Sequence, residues 1–143
     1  MLDLPSEGGE EVRLVIPGEP VAQGRPRATR QGRVYDPETS RNYKAYVRYC
    51  ALDNKPEKPL DNPLNVNIKA YFGIPKSKTK KWKESALKGD VVPTKKPDLS
   101  NIVKIVEDSL NGVWWRDDSL IVKLSAEKEY SDVPRVEVTV SNA

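Results

Sequence analysis

Residues 96–118, KPDLSNIVKIVEDSLNGVWWRDD, constrain the fold more than any other stretch of the chain. At about 100° per residue, Leu99, Ile102, Val103, Val106 and Leu110 fall on one apolar stripe, which predicts a helix buried along that face. Asn101, Lys104 and Asp108 line up on the opposite side, three and four residues apart. Gly112 is placed to end the helix as a left-handed residue just past the last turn. Asp98 stands before the helix, Asp117 and Asp118 follow it, and Lys104 lies inside it. Carboxylates in such an arrangement can serve a divalent cation, which takes oxygen ligands. Structural readings fit the same residues. Asp98 can be an N-cap, Lys104 and Asp108 an ordinary i,i+4 pair, and Asp117-Asp118 a turn before a strand.

The apolar stripe needs a surface to pack on, and the rest of the chain supplies strands. Leu64, Val66, Ile68, Ala70 and Phe72 alternate, the clearest strand pattern present and one that predicts an interior strand. Val12, Leu14 and Ile16 alternate over residues 11–16, and Pro17-Gly18 ends that run. Leu120, Val122, Leu124 and Ala126 form a third run, and Val136, Val138 and Val140 a fourth. The EYSDVP stretch between these two predicts an antiparallel hairpin. Thr39 or Ser40 can cap a helix reaching about residue 52, with Tyr43, Tyr46, Val47 and Cys50 at helical spacing. Ser77 or Thr79 can begin a short helix to Leu87, stopped by Gly89. The element order predicts an α/β, α+β-like single domain over residues 11–143, a mixed sheet of about four strands covered by helices. Residues 1–10 read as a flexible acidic lead-in.

The 143-residue sequence contains no histidine. Ser-His-Asp and Cys-His catalysis are therefore excluded, as is every histidine-based zinc site. Any catalysis must use carboxylates, lysine, tyrosine or a metal held through oxygen. One cysteine, Cys50, cannot form an internal disulfide. No apolar run approaches the roughly 18 residues of a membrane span, and the N-terminus has no apolar signal core, so a cytoplasmic location is expected. Net charge is only +3, but the positive charge is unevenly placed. Arg25, Arg27, Arg30 and Arg33 share one Gly/Pro-containing loop, and Lys76, Lys78, Lys80 and Lys81 surround Trp82. Both segments are phosphate-binding candidates; a solvated loop and a solvated helix anchored by one tryptophan fit them as well.

Three stretches, IPGEPVAQGRPR, YDPETSRNYKAYV and KPDLSNIVKIVEDSLNGVWWRDDSLIV, resemble the RusA family of Holliday junction resolvases. The resemblance implies a small homodimer of α/β fold that binds four-way DNA junctions and nicks two strands symmetrically, in recombination and repair. It implies Mg2+, with Mn2+ as substitute, and neither a small-molecule cofactor nor a membrane partner. The family motif Asp-x-Asp-Asn falls on Asp98, Ser100 and Asn101, its helix lysine on Lys104, and its later aspartate on Asp118, with Asp117 beside it. Asp108 matches a further acidic position. The implied catalytic residues are Asp98, Lys104 and Asp118, and the implied metal ligands Asp98, Asp117 and Asp118. Ser100 departs from the motif, because a neutral hydroxyl is a poor magnesium ligand. The alternative is a weak or inactive junction-binding protein of the same fold. Apolar residues left after folding, among them Trp114, Trp115 and residues of the 39–52 helix, are the interface candidates for the dimer.

Overall fold

The computed structural model describes residues 11–143; the acidic lead-in at residues 1–10 lies outside them. Four strands form one mixed sheet: β1 (Val12–Pro17), β4 (Leu64–Gly73), β5 (Ile121–Ser131) and β6 (Arg135–Asn142). Their order is β1-β6-β4-β5. β6 pairs antiparallel with both β1 and β4, and β4 runs parallel to β5. β4 is interior, as its alternation predicts, with Leu64, Val66, Ile68 and Ala70 fully buried on one face. The other face is polar: Asn67 donates to Ser125 Oγ at 2.6 Å, and Arg13 pairs with Glu137 at 2.6 Å. One face of the sheet therefore carries the core.

The predicted β5–β6 hairpin does not form. β4 lies between the two strands, and residues 132–134 carry the chain past its end, from the Gly73↔Ser131 pair to the Tyr71↔Arg135 pair. Burial explains the choice. Val136, Val138 and Val140 are wholly buried and need neighbours on both sides, whereas Val122 and Leu124 are 60% and 47% exposed on a sheet edge. Alternation in β5 marks a strand but not a buried one. The parallel β4–β5 pairing requires a long crossover, and residues 74–120 supply it.

Helix α1 (Glu38–Ala51) starts after Pro37, earlier than a Thr39 or Ser40 cap would allow. Ser40 is instead buried in the first turn, where its hydroxyl accepts from the Gly24 N–H at 2.9 Å. Tyr43, Val47 and Ala51 reach the core, while Tyr46 and Tyr49 face outward. Helix α2 (Lys80–Leu87) is capped by Thr79, whose hydroxyl accepts from the Trp82 N–H at 3.1 Å.

Helix α3 (Leu99–Leu110) is the predicted organising helix, and it packs on α1 and on the sheet. Its buried face is Ile102, Ile105, Val106, Ser109 and Leu110, with Leu99 and Val103 only half-buried. The stripe is thus turned toward Ile105 relative to the sequence reading. Gly112 follows with φ 79°, the left-handed conformation that glycine adopts without steric cost. Trp114 and Trp115 are both fully buried, so neither serves a dimer interface. Trp114 Nε1 donates to the Ala51 carbonyl at 3.2 Å, tying the end of α1 to the turn after α3.

Candidate active site and nucleic-acid interface

The C-terminal end of α3 gathers negative charge. Just before β5, a single helical turn (Asp118–Leu120) is opened by Asp117, whose carboxylate accepts the Ser119 N–H at 2.9 Å. Those hydrogen bonds hold Asp117 below the usual carboxylate range, so its first role is to shape the turn. Asp118 is half-buried and accepts the Trp115 Nε1–H at 2.7 Å. Burial pushes its pKa up; the indole bond opposes this, and the charges of Asp108 and Asp117 add to it. Glu107 is likewise pushed up, by burial first and then by Asp118 and Asp108, with Lys104 opposing. Glu107, Asp108 and Asp118 therefore repel one another at the helix end whose dipole already disfavours anions. Mutual repulsion of this kind is relieved by a cation.

One cation of the chain is already there. Lys44 of α1, with its side chain only 12% exposed, sits 2.7 Å from Asp36 and 3.8 Å from Asp108. The Lys44 hydrogen bond is the largest cause holding Asp36 below its usual value. Asp36 also accepts from Gln23 Nε2 at 3.4 Å, and the Gln23 N–H donates to the Asn101 carbonyl on the first turn of α3. Neither Lys44 nor Glu107 is legible as a site residue. Lys44 meets Asp108 across 64 positions, and Glu107 looks like any polar helix residue.

The N-terminal end of α3 is a separate place. The Asp98 backbone carbonyl accepts the first helical N–H groups, but its carboxylate makes no capping bond and is exposed. Ser100 is exposed in the same turn, and Lys104 is exposed one turn further on. The Lys104–Asp108 pair does not form, because Asp108 turns toward Lys44. From Asp98 to Asp108 the helix advances about 15 Å, at 1.5 Å per residue. Magnesium holds its ligands at about 2.1 Å, so Asp98 cannot share one ion with Asp108 of the same chain. Among the described residues, no group of three or more acidic or cysteine side chains is close enough to hold a metal ion.

The basic loop is more ordered than its sequence suggests. β2 (Arg27–Ala28) and β3 (Val34–Tyr35) form a two-stranded antiparallel ribbon. Its tip is closed by the Thr29 N–H donating to the Arg33 carbonyl at 2.8 Å, and Gly32 turns there with φ 82°. Arg25, Arg27, Arg30 and Arg33 are exposed and form no ion pair among the described residues. Lys76, Lys78, Lys80 and Lys81 are exposed too. Trp82 packs edge-on against Tyr130, with ring centres 5.4 Å apart, and Lys78 lies 4.8 Å over it. This tryptophan anchors α2 to β5.

Compared with known families, residues 17–141 match endodeoxyribonuclease RusA. The chain belongs to the RusA family. The match takes in the ribbon, α1, α3 and β5, every element that positions the residues above. The chain is 45% identical over 134 residues to the uncharacterized protein YqaN of Bacillus subtilis (strain 168), covering 90% of this chain and 94% of that protein. It is also similar to the crossover junction endodeoxyribonuclease rusA of Lactococcus phage r1t, 27% identical over 110 residues, which is 75% of this chain and 76% of that one. RusA membership gives the acidic end of α3 and the basic ribbon a common context: an endodeoxyribonuclease needs cationic groups for the DNA backbone and charge control at the bond it cuts.

Proposed function

We propose that the chain is a divalent-metal-dependent endonuclease that binds four-way DNA junctions and resolves them by paired nicks in recombination and repair. One observation carries this reading: half-buried carboxylates with raised pKa, at Glu107 and Asp118, lie beside Asp108, which Lys44 links to the base of a ribbon whose arginines form no ion pair among the described residues. Excess negative charge held in place is what a hard cation relieves, and oxygen is the ligand atom it takes. In this reading Asp118 and Asp108, with Asp117, would supply carboxylate oxygens to Mg2+ or Mn2+. Such an ion, when bound, stabilises charge developing on the oxygens of a phosphodiester under attack.

The chain's own residues do the rest. Arg25, Arg27, Arg30 and Arg33, with Lys76, Lys78, Lys80 and Lys81, neutralise backbone phosphates and set the register of the DNA. Lys104, exposed on α3, offers a point charge to the scissile phosphate. Trp115 fixes the Asp118 carboxylate by its indole bond, so the group need not be ordered when substrate arrives. Asp98 faces solvent at the other end of α3, as a carboxylate free of internal bonds among the described residues.

Symmetric nicking calls for two equivalent sites, hence a homodimer with a two-fold axis. Apolar side chains left at the surface, Tyr49 and Leu52 at the end of α1 and Val122 and Leu124 on β5, are its candidate contacts. Ser100 favours a second reading, a junction binder that cuts weakly or not at all. A labelled four-way junction separates the two. Nicking in magnesium, absent in chelator, supports the enzyme. Binding in both conditions without nicking selects the binder, and equal cutting of linear DNA would overturn junction selectivity. Sedimentation giving only a monomer, with and without DNA, would remove the dimer.

A further inference from the structure

Between the ribbon and the start of α1 lies a cleft of about 400 Å³, lined by Arg27, Tyr35, Pro37, Glu38, Thr39 and Arg41. The fold makes little use of its polar lining beyond the charge of Arg41, which helps to hold Asp36 low. The side chains of Arg27, Tyr35, Glu38, Thr39 and Arg41 form no hydrogen bond or ion pair among the described residues. Tyr35 stands directly across the ribbon from Arg27 and is 42% exposed. Two guanidinium groups, one aromatic ring and one carboxylate therefore meet in a space within the range of small-ligand pockets.

We infer that this cleft holds one unpaired nucleotide of the DNA junction, its base against the Tyr35 ring and its phosphate between Arg27 and Arg41. The inference rests on the junction-binding reading above and names a subsite for it. A guanidinium pairs with phosphate through two parallel hydrogen bonds, and two of them frame one phosphate group. An aromatic side chain stacks on any base, because every base presents a π-face. Glu38 accepts hydrogen bonds only, which suits the amino edge of a base. A base inside a duplex has both faces covered by its neighbours and cannot also stack on Tyr35. The occupant of the cleft must already be out of the duplex, and the branch point is where leaving the stack costs least. Arg25, Arg30 and Arg33 continue from the cleft along the same ribbon, so the flanking backbone has a cationic track to follow.

A double-mutant cycle tests this in chelator, where the junction is bound and not cut. Abasic sites are placed one at a time at the nucleotides flanking the branch point, and affinity is measured for the parent, Tyr35→Ala, Tyr35→Phe and Arg41→Ala. For the parent, one abasic position should weaken binding about tenfold, the size of a single base–aromatic stack. Tyr35→Ala should weaken binding about as much on the intact junction and no further on that abasic junction, a coupling between ring and base. Tyr35→Phe should behave as the parent, and Arg41→Ala should weaken both junctions alike. Effects that multiply at every branch position, or no sensitive position at all, would overturn the subsite while leaving junction binding intact. A parent that fails to bind the junction would overturn the junction-binding reading and the subsite together.

Discussion

The buried indole of Trp115 donates its N–H to Oδ1 of Asp118 at 2.7 Å, so a core residue sets the position of a surface carboxylate. That bond lowers the Asp118 pKa, yet burial and the neighbouring charges of Asp108 and Asp117 leave it raised. The folded state thus disfavours the charged form. Stability from the neutral form is complete below the unfolded value of 3.8 and is lost as pH rises through the raised folded value. Asp118→Asn keeps an oxygen for Trp115 and removes the charge. It should stabilise the protein at neutral pH by less than about 1 kcal/mol, because solvent screens a half-exposed group. The gain should fade as pH falls into the carboxylate range. Urea melts of parent and variant across that range give the answer; a variant less stable at neutral pH would mean the charge is favourably paired.

Lys44 acts in the opposite direction on Asp36. Its hydrogen bond holds Asp36 low, so this contribution is present above the unfolded value of 3.8 and is lost as pH falls through the lowered folded value. Lys44→Met should lower the melting temperature at neutral pH by a few degrees, since it also removes the ion-pair partner of Asp108 beside Glu107 and Asp118. Lys44→Arg should recover most of the loss. A Lys44→Met protein that melts like the parent would show that the bridge between ribbon and α3 carries no stability.

Much of the fold is legible because burial in this chain follows period. β4 and β6 alternate because one face meets the core, and α3 shows helical spacing for the same reason. The expected β5–β6 hairpin fails because alternation says nothing about which strand is the neighbour. Sheet order is set by the demand of Val136, Val138 and Val140 for burial on both flanks. At the site, motif spacing points to Asp98, Lys104, Asp108 and Asp118 but does not separate the two ends of α3 as places for an ion. Lys44 stays hidden because α1 packing on α3 is what brings it to Asp108, and Glu107 because only the turn after α3 brings Asp118 back to it.

Trp114 and Trp115, expected at a dimer surface, are core residues. Trp114→Ala should therefore cost about 3–5 kcal/mol in denaturant unfolding, the range for removing a buried aromatic. Tyr49→Ala, at a position 73% exposed, should stay within about 0.5 kcal/mol of the parent in a monomeric state. A mild Trp114→Ala phenotype would contradict full burial of that indole.

The ribbon makes a prediction about salt. Replacing Arg25, Arg27 and Arg30 with alanine should weaken junction binding and also flatten the dependence of log K on log salt, by about 0.9 for each duplex phosphate no longer neutralised. The two effects must appear together. Weaker binding at an unchanged slope would mean that the arginines act by shaping the ribbon.

Ser100 offers the sharpest test of the metal reading. It is exposed in the first turn of α3, beside Asp98 and about 12 Å of helix axis from Asp108. A carboxylate at position 100 would repel Asp98, but both would lie at the helix end whose dipole favours negative charge. In chelator, Ser100→Asp should therefore stay within about 0.5 kcal/mol of the parent. If the N-terminal end of α3 serves a cation, magnesium should raise the melting temperature of Ser100→Asp more than that of the parent, by linkage, and nicking should quicken. Asp98→Asn and Asp118→Asn should each abolish nicking while junction binding in chelator is unchanged or tighter, since each removes a charge that repels phosphate. Loss of nicking in Asp118→Asn alone would confine the chemistry to the acidic end beside Lys44. An unchanged metal response and unchanged nicking in Ser100→Asp would show that position 100 does not face the cation. The serine would then not be what sets the activity of this chain.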